Sequence, residues 1–141
     1  MKKKDIVTSF LFKDGKVLLL KRSDKVGTFR GKWAGVSGFI EGENSLEAAL
    51  REIKEETGVD SKCLELLKIG IPFDVKDTIN DTIWSINPFL FLFKGEEIKI
   101  DWEHDSFEWI CPKDIDNYEI VTNLKKTLFD LIENSDVEQN D

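Results

Sequence analysis

The chain has 141 residues, 40% of them hydrophobic, with ten Phe and four Trp; this is one-domain length with ample material for a core. A formal charge of −8 excludes the broad basic surface that holds a nucleic-acid polymer, but not a small polyphosphate arriving with a divalent cation. Cys63 and Cys111 have no metal-like spacing and need no disulfide, and no apolar stretch is long enough to span a bilayer, so the expectation is a cytoplasmic protein with no membrane partner.

In chain order, Ile6 to Phe12 and Lys16 to Lys21 are apolar, strand-like runs joined at Asp14-Gly15, a strong hairpin signal. Leu46, Ala49, Leu50 and Ile53 then recur at three- and four-residue spacing, continued by Thr57, which is the pattern of one buried helical face. Asn44 with Glu47 has the spacing of a capping box, and Gly58 stands where a left-handed C-terminal cap belongs, so the spacing predicts a helix over residues 45–57. Strand-like runs follow near residues 64–71, 82–93 and 106–110, with Asn87-Pro88 marking a bend, edge or bulge. Residues 122–133 read as a second amphipathic helix capped by Thr122. No repeat or interior linker interrupts this order. The expectation is a single α+β domain over residues 1–133 with a mixed sheet between helices, and a polar, acidic, disordered tail over residues 134–141.

The first helix carries the chemistry. At about 100° per residue, Glu52, Glu55 and Glu56 share one arc beside the apolar stripe, with Glu56 nearest the core, while Glu47 and Lys54 point to solvent. Clustered carboxylates repel and raise one another's pKa, an arrangement that a hard divalent cation such as Mg²⁺ or Mn²⁺ relieves. Periodicity alone also permits a solvated acidic face.

From Glu43 onward the chain resembles the box of the Nudix hydrolases, the MutT-like family. Glu43, Arg51, Glu52, Ile53, Glu55, Glu56, Gly58 and Val59 all fall at the expected spacings. Upstream it departs by one residue: the box glycine should stand at 37, where the chain has Ser37, and Gly38 takes its place through a one-residue deletion between Phe39 and Gly42. The resemblance implies a Nudix fold, an α/β/α sandwich with a mixed sheet. It also implies that Glu52 and Glu56 are the main metal ligands, that Glu55 is a further ligand or a base, that Gly38 lends a carbonyl, and that Arg51 orients the carboxylates. Glu43 is read as bonding back to the loop or to Arg51. The implied reaction is attack by water on a diphosphate bridge, without a covalent protein nucleophile; accordingly there is no P-loop, HExxH or nucleophile-elbow pattern.

Downstream, residues 102–110 are similar to a Glu-His-aromatic-Trp element of several Nudix subfamilies. It makes Glu103 a candidate base or additional ligand, or else one more exposed acid; His104 is assigned a structural hydrogen bond. Phe107 and Trp109 are read as core. Arg22, Arg30 and Trp33 are candidates to receive the substrate, with surface charge the alternative for the arginines and packing under the loop for the tryptophan. Phe73 and Trp84 are assigned to packing over base stacking. Three function classes stay open on the same fold: a Mg²⁺- or Mn²⁺-dependent pyrophosphohydrolase of a nucleoside diphosphate linked to another moiety, a catalytically inactive nucleotide-binding regulatory module, and an isoprenoid-diphosphate isomerase. The first is the reading adopted, with the substrate left among nucleoside triphosphates, nucleotide sugars, ADP-ribose, dinucleoside polyphosphates and dihydroneopterin triphosphate. The family often dimerises, which leaves a homodimer open.

Overall fold

Asp14 and Gly15 both adopt positive φ, 52° and 77°, the geometry of a tight two-residue hairpin turn. In the computed structural model, which describes residues 1–133, this turn joins β1 (Lys2–Lys13) to β2 (Lys16–Arg22). The tail expected over 134–141 lies outside the described residues. One edge of β1 is shared: its end pairs with β2, and its first half pairs antiparallel with β4 (Val36–Phe39), so that Val7 stands opposite Gly38 and Ile6 opposite Phe39. The other edge pairs in parallel along its length with β7 (Thr82–Phe93). β5 (Leu64–Ile69) and β6 (Phe73–Asp77) add antiparallel to β7, while β3 (Trp33–Ala34) and β8 (His104–Ile110) add to β2. Among the described residues the result is an eight-stranded mixed sheet.

Alternation along the central strands builds two cores. Val7 and Leu11 of β1, Leu18 and Leu20 of β2, and Phe89, Phe91 and Phe93 of β7 face α1 (Ser45–Thr57), which contributes Ala48, Ala49 and Ile53. Phe10, Phe12, Val17, Leu19 and Leu90 face the other way, onto α2 (Leu124–Glu133) with Leu124, Leu128, Leu131 and Ile132. The expected sandwich is therefore present.

Several local expectations need correction. The run expected at 64–71 ends at Ile69, and a strand not expected from the sequence, β6, follows it, because β7 changes antiparallel partner at Asn87-Pro88: β6 pairs as far as Ile86 and β5 takes over at Phe89. Pro88, which has no N–H to give, occupies that gap, and its carbonyl accepts from Gly70 N at 2.9 Å. α2 starts at Leu124 rather than Thr122, since Asn123 at φ 69° lies outside helical backbone. Trp109 packs on Phe93 (centroids 5.9 Å apart), but Phe107 is exposed.

Candidate active site

The helix expected over 45–57 has those bounds. Asn44 accepts from Glu47 N at 2.8 Å, the Glu47 carboxylate accepts from Asn44 N at 3.3 Å, and Gly58 at φ 74° donates its N–H to the Lys54 carbonyl. Fixing both ends fixes the rotation of the helix, so the margin of its apolar stripe presents Glu52 and Glu56 inward. They are 8% and 2% exposed, whereas the Glu55 side chain is 56% exposed and points to solvent.

Gly38 is the gate beneath Glu52. A Cβ built there would overlap the Glu52 carboxyl carbon and both its oxygens, so only glycine leaves room for that carboxylate against β4. Arg51 ties the helix to the loop: Nη1 donates to Glu52 Oε1 at 2.7 Å, Nε to Glu43 Oε2 at 2.9 Å, and Nη2 to the Phe39 carbonyl at 2.8 Å. Glu41 and Glu55 lie 3.6 Å from Nη1. This fork holds the Glu43 carboxyl down to about 2 and raises the guanidinium's own pKa, so both stay charged. The planar fork, not charge alone, makes this contact set possible.

Glu56 faces a different environment. Its Oε1 lies 3.6 Å from His104 Nε2, and its Oε2 is buried with no hydrogen-bond partner among the described residues. The buried His104 reaches Asp101 Oδ1 through Nδ1 at 2.9 Å, giving the row Asp101, His104, Glu56. Burial, the Glu52 carboxyl, and the charges of Glu103 and Asp101 push the Glu56 pKa well up. Glu103 is also raised, by burial first and then by Asp101 and Glu52, although Arg22 opposes the shift. Burial lowers His104 against the pull of Asp101. Four carboxyl groups from two parts of the chain thus act on one another, and the assigned histidine hydrogen bond is present.

In chemical type the donors suit a hard divalent cation. They are carboxylates, one of them with a buried oxygen that has no hydrogen-bond partner among the described residues, beside a cradle that a Cβ would fill. Among the described residues no three His, Cys, Asp or Glu side chains are gathered closely enough to hold one ion. Arg51 draws Glu52 Oε1 toward the loop, and Glu55 stays in solvent.

The other sequence candidates divide. Arg22 sits beside the Glu103 loop: its neighbour Ser23 donates from N to the Glu103 carbonyl at 2.8 Å and from Oγ to the Trp102 carbonyl at 3.0 Å. A bulge between Lys21 and Arg22, where β2 meets β8, sets this join. Arg22 spends two donors on Thr28, and Arg30 spends its Nε on the Val26 carbonyl at 2.8 Å, so both brace the Gly27 to Trp33 loop. Trp33 is clipped to the segment before α2: its N donates to the Glu119 carbonyl, its carbonyl accepts from Val121 N, and its ring meets Tyr118 edge-on at 5.4 Å. The ring thus packs against the second core, on the α2 side of the sheet, and not beneath the loop that precedes α1. Asp101 escaped the sequence reading; its signal was a third acid two residues before Glu103.

A helix of buried carboxylates behind a glycine-gated, arginine-tied loop, on a mixed sheet between two helices, defines a phosphoanhydride-hydrolase scaffold. The model of the NUDIX domain matches residues 2–131, so the chain belongs to the Nudix family of hydrolases, which act on phosphoric anhydride bonds in nucleotide-linked diphosphates and are generally dependent on divalent metals. A curated relative, the nucleoside triphosphatase NudI of Escherichia coli, is 32% identical over 135 residues, covering 91% of this chain and 96% of its own. In fold the chain is similar to a MutT NUDIX hydrolase from Burkholderia pseudomallei (TM-score 0.76, 23% identity, 92% and 98% of the two chains). It is similar also to the E. coli dihydroneopterin triphosphate pyrophosphohydrolase (TM-score 0.74, 20% identity, 96% and 100%).

Proposed function

We propose that the protein is a Mg²⁺-dependent pyrophosphohydrolase (Mn²⁺ substituting) of nucleoside triphosphates, the substrate class named for the curated E. coli relative. The observation that carries this reading is Glu56 Oε2: a buried carboxylate oxygen without a hydrogen-bond partner among the described residues, in a group that also feels the charges of Glu52 and Glu103, is costly unless something cationic satisfies it. Glu52 and Glu56 would hold the cation, with the Gly38 carbonyl as a further donor and Glu55 reaching it only by turning in from solvent. When bound, it neutralises charge on the phosphate oxygens and lowers the pKa of the attacking water.

Arg51 keeps the Glu52 rotamer fixed while the substrate exchanges, because three of its donors are already engaged. Glu103 takes the proton of the attacking water, and Glu55 is the other group able to do so. Arg22 lies beside Glu103 and retains N–H donors beyond those given to Thr28, so it can receive a phosphate oxygen. Arg30 and Trp33 shape that loop. The ligand is a small nucleotide and not a nucleic-acid polymer, as the charge of −8 supports. No helix among the described residues is long and apolar enough to cross a membrane, and two free cysteines suit a reducing cytoplasm.

The test is a hydrolysis screen of nucleoside triphosphates, nucleotide sugars, ADP-ribose and dinucleoside polyphosphates with Mg²⁺ or Mn²⁺. Turnover of nucleoside triphosphates above the rest supports the reading. Preference for another class moves the substrate, and binding without turnover of any compound leaves a regulatory module.

A further inference from the structure

Phe39 is 50% exposed and directly follows Gly38. Since Gly38 faces Glu52, strand alternation sends the Phe39 ring to the opposite face of β4. There it meets Trp84 of β7, with ring centroids 6.0 Å apart and planes tilted 37°. Lys4, the register partner of Trp84 on β1, sets its ammonium 5.7 Å from both ring centres. Trp84 belongs to neither core. Its orientation is fixed from outside: Nε1 donates to Asp77 Oδ2 at 3.1 Å, and Asp77 is itself held by Asn80 N at 3.1 Å and Asn80 Nδ2 at 2.8 Å.

We propose that Phe39, Trp84 and Lys4 form the platform that receives the base of the nucleotide substrate. The proposal rests on the hydrolase reading above and deepens it. The Phe39 carbonyl accepts from Arg51, and Arg51 holds Glu52, so one residue's backbone and one guanidinium link the rings to the carboxylates. A base stacked on Phe39 leaves its phosphates to turn around the free edge of β4, which among the described residues pairs only with β1. Stacking accepts any base, since every base has a π-face. Lys4 sets one positive charge at the rings, on the face of β1 that alternation also gives to Lys2 and not to Lys3, where a nucleotide needs a cation. The same ammonium argues against a second copy of the chain as occupant, because interface centres are depleted of lysine.

The experiment compares wild type with Phe39→Ala, Phe39→Leu and Phe39→Trp. It reads kcat and KM for a nucleoside triphosphate, Ki for inorganic tripolyphosphate as competitor, binding of the labelled nucleotide by equilibrium dialysis, and size-exclusion elution. Removing the ring should weaken nucleotide binding and raise KM by about 10- to 100-fold, more than any change in kcat. Leu should resemble Ala, Trp should restore wild-type values, and the Ki of tripolyphosphate, which has no base, should hold. The proposal is overturned if KM and the tripolyphosphate Ki rise together, which would mean a distorted loop. It is overturned equally if neither moves, or if Ala only splits a dimer. Should wild type hydrolyse nothing, the hydrolase reading fails while dialysis still decides whether the ring holds the base.

Discussion

Replacing Gly38 with alanine separates the cost of folding from the cost of chemistry. Gly38 is absent from the glycines with positive φ, so alanine suits its backbone, and the lost glycine freedom stabilises the fold by about 0.4–1 kcal/mol. The new Cβ overlaps only the end of the flexible Glu52 side chain. To restore an ordinary carbon–carbon separation of ~3.5 Å, that carboxylate must move by about 1–1.5 Å. It then loses its 2.7 Å contact with Arg51, a part-exposed pair contributing about 0–1 kcal/mol. The two small terms offset, and the melting temperature should stay within roughly 4 °C of wild type. Catalysis should not be spared, because a misplacement of about 1 Å in a catalytic constellation costs on the order of 10²-fold. The expected kcat loss of about 100-fold corresponds to about 2.7 kcal/mol of barrier. Phosphate or pyrophosphate release with Mg²⁺ measures the first quantity and calorimetry the second. Gly35→Ala is the control: its Cβ would lie 2.8 Å from the Ser9 carbonyl, so it should lower stability instead. A Gly38→Ala enzyme with near-wild-type kcat, or one inactive only because it unfolds, would refute the role given to the glycine.

Three further outcomes follow from the same contacts. Because the Glu56 pKa is raised in the fold, the folded state holds the extra proton between the unfolded value and the raised one, so this group's contribution falls as pH rises through that window. His104, shifted down, gives the opposite slope just below its ordinary value, and the difference between wild type and Glu56→Gln reports the glutamate together with the histidine and carboxyl groups coupled to it. In chelator at neutral pH, Glu56→Gln should melt higher than wild type, and it should lose the stabilisation that Mg²⁺ gives wild type; thermal shift checks both. Arg51→Lys keeps the charge but loses the fork: kcat should fall about 10- to 100-fold, and the Glu43 pKa, read by NMR, should climb from about 2 toward its ordinary value. Asn44→Ala removes the helix cap and should cost about 1 kcal/mol in calorimetry, with most of kcat retained because Arg51 still fixes Glu52.

The sequence exposed what is local. The caps and periodicity of residues 44–58 set α1 to the residue, and with it the inward turn of Glu52 and Glu56, while Asp14-Gly15 announced the hairpin. What stayed hidden depends on partners distant in sequence. Ser37 at the expected glycine position drew attention to loop length, whereas the need for Gly38 comes from a carboxylate fourteen residues on. β3 and β4 are too short for a periodic signal, and the division of 64–77 into two strands is decided on β7 by Pro88. Arg22 and Arg30 read as free cations because their carbonyl acceptors are invisible in composition. The Asp101, His104, Glu56 row exists only once β8 lies against β2.

The most direct measurement is hydrolysis of a nucleoside triphosphate in ¹⁸O-water with Mg²⁺, for wild type and Glu56→Gln side by side, with products weighed by mass spectrometry. Wild type should cleave a P–O–P bond and place one labelled oxygen on a single phosphate product, only with the metal, and Glu56→Gln should lose this by about 100-fold or more. Turnover that ignores both chelator and the substitution, or equal nucleotide binding by both proteins with no label incorporated, would contradict a metal-supported attack by water at the α1 carboxylates.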